Sequence, residues 1–130
     1  MLKKVTFLIL LTLGGSATFA QPFDCSKFKD GKFRIADANA GGITIIERRG
    51  NYQVESNEGL KVIIRLSVNW LDNCSYELKF DKILRNENKI ELPKITMLVK
   101  IIETHEDSYI QETSSPGYNG VYRSEVTKIR

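Results

Sequence analysis

The chain carries few side chains that could perform catalysis or bind a metal. Among its 130 residues, His105 is the only histidine, and Cys25 and Cys74 are the only cysteines. A Ser-His-acid or Cys-His mechanism would therefore have to use His105, and no nucleophile-elbow motif is present. The acidic and polar residues 106–108 that follow it predict a solvated hairpin tip. We therefore expect a protein that is not an enzyme and that has no cofactor.

The two cysteines are best explained as a disulfide. They lie 49 positions apart, no C-x-x-C motif is present, and one histidine with two distant cysteines does not complete a tetrahedral zinc site. Two cysteines in an exported chain usually pair, because the destination is oxidising. We predict a Cys25–Cys74 bond and no metal site.

The first 20 residues predict a cleavable export signal. Lys3 and Lys4 supply its positive end, residues 5–13 are apolar, and residues 16–20 place small side chains before a cleavage point at Gln21. Nine apolar residues are too few to span a membrane, which takes about 20. The sequence thus predicts a signal peptide at 1–20, one domain at 21–130, no stable membrane anchor after cleavage, and a periplasmic or secreted location.

The charge of the mature chain argues against nucleic-acid binding. Removing Lys3 and Lys4 from the 19 basic residues leaves 17 against 16 acidic ones, a net charge of +1. Nucleic-acid binders concentrate positive charge on one face to displace phosphate counterions. The densest basic run, Glu47-Arg48-Arg49, is expected to form a solvated hairpin end.

The hydrophobic pattern has a period of two, which predicts strands. It is clearest in an inward row from Leu60 to Trp70, followed after a tight turn by a second row from Cys74 to Phe80. Trp70 is expected to pack near the base of the sheet beside the disulfide. Further strands are predicted at 32–35, 43–49, 52–55, 95–104, 108–113 and 121–129, with a short helix within 24–30.

About seven or eight strands joined by short turns predict an antiparallel up-and-down meander. Closure into a small barrel would hide the sheet edges, and a β-sandwich is the alternative. The short connections favour the barrel.

Two patches of this chain resemble a set of short exported proteins of the Bacteroidetes that are lipocalin-like in outline. The first is C-S-x-F-x-x-G-x-F, from Cys25 to Phe33, and the second is W-L-x-x-C-x-Y-E-L, from Trp70 to Leu78. The G-x-F fragment also resembles the opening strand of small calycin barrels. The resemblance implies a lipocalin-like barrel and no characterised activity.

Some proteins of that set carry a DNA-topoisomerase label, which the residues of this chain do not support. A topoisomerase needs a large multidomain scaffold, a basic DNA-facing surface and a nucleophilic tyrosine among arginines. This chain is instead small, exported by the prediction above, and near neutral in charge.

Two functions remain open. The barrel interior could bind a small apolar or amphipathic ligand. Alternatively, the protein could be a structural or interaction module of the cell envelope that uses an outer strand face or the loop at 114–120. The short chain and its bulky inward side chains favour a filled core over a cavity. The residues expected to line a ligand site are Phe33, Tyr52, Val62, Ile64, Leu66, Tyr76, Leu78 and Met97.

Overall fold

The computed structural model describes residues 24–37 and 41–130. The signal predicted at residues 1–20 lies outside this part of the chain. A 3-10 helix at Ser26–Phe28 precedes strands β1 (Gly31–Asp37), β2 (Gly42–Arg49), β3 (Tyr52–Asn57), β4 (Val62–Asp72), β5 (Ser75–Asn86), β6 (Thr96–Thr104), β7 (Ser108–Ser114) and β8 (Tyr122–Lys128). No helix within the described ranges is long and apolar enough to cross a membrane.

The strands form a closed antiparallel barrel. Each strand pairs with the next along the chain, and β8 returns to pair with β1, which confirms the predicted meander. This closing seam is short, but backbone bonds between Lys32 and residues 129–130 extend it. Gly31 begins the seam with a φ of +141°, and a Cβ there would lie 2.7 Å from the carbonyl oxygen of Arg130. Only glycine fits this approach without a backbone shift.

The predicted inward rows on β4 and β5 are largely confirmed. The buried members of the two rows are Val62, Leu66, Val68, Tyr76 and Leu78. Ile64 and Phe80 are half-buried, and Leu60 lies before β4 in a turn with 36% of its surface exposed. Strand β5 also continues past the predicted end at residue 80, to Asn86.

The prediction that Tyr52 faces inward is wrong. Tyr52 is 47% exposed, whereas Gln53 and Asn57 of the same strand are buried. Successive strand residues alternate between faces, so the polar set on β3 points into the barrel. The Tyr52 ring packs outside instead, where the Arg65 guanidinium lies 4.5 Å from its centroid.

The two ends of the barrel differ, and we call them the closed end and the open end. The closed end holds the turns after β2, β4 and β6 together with the 3-10 helix. The open end holds the connections after β1, β3, β5 and β7. The helix is fixed at the closed end because the Asp30 carboxylate accepts a bond from the Gly50 N–H in the β2–β3 turn, at 3.0 Å.

A disulfide and an aromatic cluster fill the closed end. The predicted Cys25–Cys74 bond is present and joins the segment before the helix to the turn after β4. The surrounding buried residues are Phe28, Phe33, Ile46, Ile101, Tyr109 and Val126. Trp70 is half-buried and packs against this cluster, as expected, and its ring lies 4.5 Å from that of Tyr76.

Candidate ligand-binding site

A cavity of about 320 Å³ occupies the open-end half of the barrel. It lies within the barrel because seven of the eight strands contribute to its wall. The lining residues are Ile35, Asp37, Thr44, Ile46, Gln53, Glu55, Tyr76, Leu78, Met97, Val99, Gln111, Thr113, Tyr122 and Ser124. Asp37 ends β1 and Tyr122 begins β8, so both mark the rim. The favoured prediction of a filled core is therefore wrong for this half of the barrel.

The cavity wall is divided between apolar and polar side chains. The apolar part comes from Ile35, Ile46, Leu78, Met97 and Val99. Towards the closed end, Gln53, Tyr76 and Gln111 form a polar floor, each with less than a tenth of its surface exposed. Such a wall suits an amphipathic occupant.

Arg48 lies beneath the floor, fully buried. Its Nε donates to the Lys29 carbonyl oxygen at 2.8 Å, and its Nη2 donates to the carbonyl of Phe28 at 2.7 Å. The remaining bonds go to the Gln53 side-chain oxygen at 2.8 Å and to the hydroxyls of Tyr76 and Tyr109, each at 3.1 Å. A guanidinium has five N–H donors, and all five are used here.

Aromatic rings enclose the same guanidinium, which lies 4.7 Å from the Phe33 centroid and 4.8 Å from that of Tyr76. Burial alone would lower the pKa of Arg48, but its interactions with Tyr76 and Tyr109 outweigh this, so the pKa is raised and the group stays charged. The prediction of a solvated hairpin end is therefore wrong for Arg48. It holds for Arg49, whose side chain is 85% exposed.

A chain of hydrogen bonds connects Arg48 to the cavity. The Gln53 amide oxygen accepts from Arg48, and its Nε2 donates to Oε2 of Glu55 at 2.7 Å. On the other side, the Gln111 amide donates to the Ser124 hydroxyl at 3.2 Å. Gln53 is thus oriented from below and presents its N–H groups towards the cavity carboxylate.

Two ionisable groups of the cavity have shifted pKa values. Desolvation raises the pKa of Glu55, while its bond to Gln53 and the charge of Arg48 partly oppose the shift. Desolvation also raises the pKa of Tyr76 well above its usual value, so this phenol remains protonated. Glu55 is consequently a carboxyl whose charged form is disfavoured by its burial in the cavity wall.

The predicted ligand residues fall into three groups. Tyr76, Leu78 and Met97 line the cavity. Four others, Phe33, Val62, Ile64 and Leu66, are at least partly buried but do not line it, and Phe33 belongs to the closed-end cluster. Tyr52 lies outside the barrel, as described above.

Other chemistry-bearing residues are at the surface. His105 lies in the turn after β6, half exposed, with its Nε2 2.6 Å from a carboxylate oxygen of Glu103. The loop at 115–120 is at the open end, where residues 116–120 are exposed. Within the described ranges, no group of three or more His, Cys, Asp or Glu side chains is placed to hold a metal ion.

Four residues of the site, Arg48, Gln53, Glu55 and Gln111, were not predicted from the sequence. A signal for the first was present, because Ile46 is apolar and β-branched, and alternation places the side chain two positions on towards the same face. The amide residues carried no such signal.

Comparisons with known proteins returned no match: no protein-family model fits the chain, and neither the curated proteins nor the solved structures contain a significant relative.

Proposed function

We propose that this barrel binds a small amphipathic molecule in its open-end cavity. One observation carries the proposal. Side chains can fill the interior of an eight-stranded barrel, but this barrel contains a cavity. Its volume of about 320 Å³ is at the small end of the range of about 300–1,000 Å³ for small-molecule pockets. The ligand is therefore compact.

The polar residues at inward positions support the same proposal. Gln53 and Gln111 also bond to the polar groups at the closed end, but Glu55 would be replaceable by an apolar residue if the barrel only had to fold. A half-buried carboxyl such as Glu55 costs stability unless something pairs with it. Such a costly group, facing a cavity and oriented by Gln53, is better explained by a ligand than by packing.

The proposal includes a non-enzymatic role outside the cytoplasm, in the periplasm or the extracellular medium. The Cys25–Cys74 bond supports it, since disulfides persist mainly in oxidising compartments. The signal-like sequence at 1–20 and the resemblance to exported lipocalin-like proteins point the same way.

Adjacent residues of β6 provide a matched test. Met97 lines the cavity, whereas Leu98 is 37% exposed on the outer face. Met97→Trp should fill the cavity and abolish binding of 2-phenylethanol and of an apolar fluorescent probe, while Leu98→Trp should leave both unchanged. Binding to the wild-type protein should also raise the melting temperature through mass action.

Circular dichroism establishes that both variants fold. Equal binding by M97W and L98W, or no thermal shift with any compact amphipathic probe, would refute the proposal.

A second candidate is docking of a cell-envelope protein on the outside of the barrel. It is favoured by an apolar groove lined by the exposed residues Leu71, Leu98 and Val121, next to the loop at 115–120. Leu98→Asp should then abolish association with that partner without changing probe binding in the cavity.

A further inference from the structure

The charged side chains that line the cavity itself are of one sign. Its lining includes two carboxyl groups, Asp37 and Glu55, and contains no lysine, arginine or histidine among the described residues. The other titratable groups of the lining are the phenols of Tyr76 and Tyr122. A carboxylate-bearing ligand would therefore meet like charge on entry.

Arg48 does not provide a counter-ion for such a ligand. It is fully buried, it does not line the cavity, and its five N–H donors already bind protein oxygens. Gln53 and Tyr76 lie between it and the cavity. An anion could reach the guanidinium only by breaking bonds to these two residues.

Glu55, by contrast, has unused acceptor capacity. Its Oε2 accepts one bond, from Gln53, and no partner for Oε1 is found in the described part of the chain. A carboxylate offers about four lone-pair sites. Because Gln53 is itself held by Arg48, the carboxyl of Glu55 is oriented before any ligand arrives.

The strand register places the two carboxyl groups at different depths. Glu55 pairs with Ile46, which pairs with Phe33, four residues before Asp37 on β1. At about 3.3 Å per residue, Asp37 lies roughly 13 Å further along β1, towards the open end, than the residue aligned with Glu55. Glu55 is therefore the deep acceptor, and Asp37 lies at the entrance.

We propose that the cavity selects compact ligands with a protonated amine, bound by the Glu55 carboxylate, and that it rejects carboxylate ligands of the same shape. This inference rests on the proposed ligand-binding function and adds the chemistry of the ligand. Glu55 is the specificity-determining residue, and the apolar wall holds the hydrocarbon part. Burial raises the pKa of Glu55, so an ammonium group bonded to it would offset the desolvation of the carboxylate.

Three compounds of nearly equal shape test the inference by calorimetry near pH 7: 2-phenylethylamine, 2-phenylethanol and phenylacetate. We expect the amine to bind at least tenfold more tightly than the alcohol, and the carboxylate to bind more weakly than either. Glu55→Gln should reduce amine affinity to the level of the alcohol and leave alcohol affinity nearly unchanged. Glu47→Gln, on the outward face of β2, should change none of the three.

The results separate this inference from the proposed function. Binding of the alcohol without a preference for the amine, or an amine preference that survives in E55Q, would overturn the inference and retain the ligand site. Phenylacetate binding as tightly as the amine would also overturn it. Failure of all three compounds to bind would overturn both. If E55Q does not fold, the ranking of the three compounds on the wild-type protein decides.

Discussion

The closed and open ends of the barrel are built from the same strands but hold different contents. At the closed end, aromatic side chains and a disulfide surround Arg48, and every donor of its guanidinium is bonded. At the open end, Glu55 faces a cavity with one of its oxygens bonded by protein. All hydrogen-bond donors of Arg48 are therefore satisfied by the protein, whereas Glu55 keeps an oxygen that a ligand could bond.

This difference indicates how stability and binding are divided within a small domain. At the closed end, the buried cluster, the disulfide and the Arg48 network all contribute to folding. At the open end, a second apolar cluster on β4, β5 and β6 borders the cavity, so packing and binding surface meet there. Gln53 connects the two, because one end of its amide binds Arg48 and the other binds Glu55.

The largest expected effect comes from breaking the closed end at Arg48. Arg48→Met leaves five oxygens, four of them buried, without this donor, and each unsatisfied buried group costs about 1–3 kcal/mol before relaxation. Since methionine recovers part of this through packing and removes a buried charge, we expect a net loss of about 3–5 kcal/mol in the free energy of unfolding. Urea denaturation measures it.

The neighbouring residue is the control. Arg49→Met alters a side chain that is 85% exposed, and surface substitutions usually change stability by less than about 0.5 kcal/mol. Similar losses for the two variants would show that the closed end does not depend on the Arg48 network.

A smaller effect is expected from the disulfide. Replacing Cys25 and Cys74 together by serine should lower the free energy of unfolding by about 2–4 kcal/mol, because the unfolded chain loses its cross-link. The intact mass of the wild-type chain should be two hydrogens below that of its reduced form. Since the bond lies at the closed end, the folded double variant should still bind 2-phenylethanol in the cavity.

Dithiothreitol distinguishes the bond from the serine substitutions themselves. It should destabilise the wild-type protein and leave the double-serine variant unchanged. Two titratable thiols in the folded wild-type protein would contradict the expectation.

The sequence predicted the apolar rows of the interior and the disulfide better than the polar interior residues. The inward rows of β4 and β5 are apolar, so periodicity identified Leu66, Val68 and Leu78 as interior. The presence of two cysteines in a chain with an export-like N-terminus was enough to predict the disulfide. These features are local, or depend on residue types that have few alternative explanations.

The polar interior residues, at both ends of the barrel, were harder to predict. Hydrophobic periodicity equates an apolar side chain with the interior, and this reversed the faces assigned to Tyr52 and its neighbour Gln53. The network is also long-range: Arg48 bonds to Tyr76 and Tyr109, 28 and 61 positions away. Such pairings depend on the register of several strands, which a single sequence does not specify.

The smallest expected effect is a pH dependence of stability caused by Glu55, the polar group at the open end. Its pKa is raised above the usual 4.5 because burial disfavours the carboxylate. The contribution of this group to stability is therefore fully present below about pH 4.5 and is lost as the pH rises through the raised value. The wild-type protein should be less stable than Glu55→Gln at neutral pH, and the difference should vanish in acid.

Urea denaturation at a series of pH values measures this difference, with Glu47→Gln as the control that keeps the wild-type profile. Adding 2-phenylethylamine should reverse the order at neutral pH, because the ammonium group stabilises the Glu55 carboxylate in the wild-type protein and finds no charge in E55Q. Equal stability of the wild-type and E55Q proteins at every pH would mean that the Glu55 carboxylate is as well solvated as in the unfolded chain. Glu55 would then differ little from an exposed acid, and the open end would not contain a poorly solvated carboxylate that a cationic ligand could stabilise.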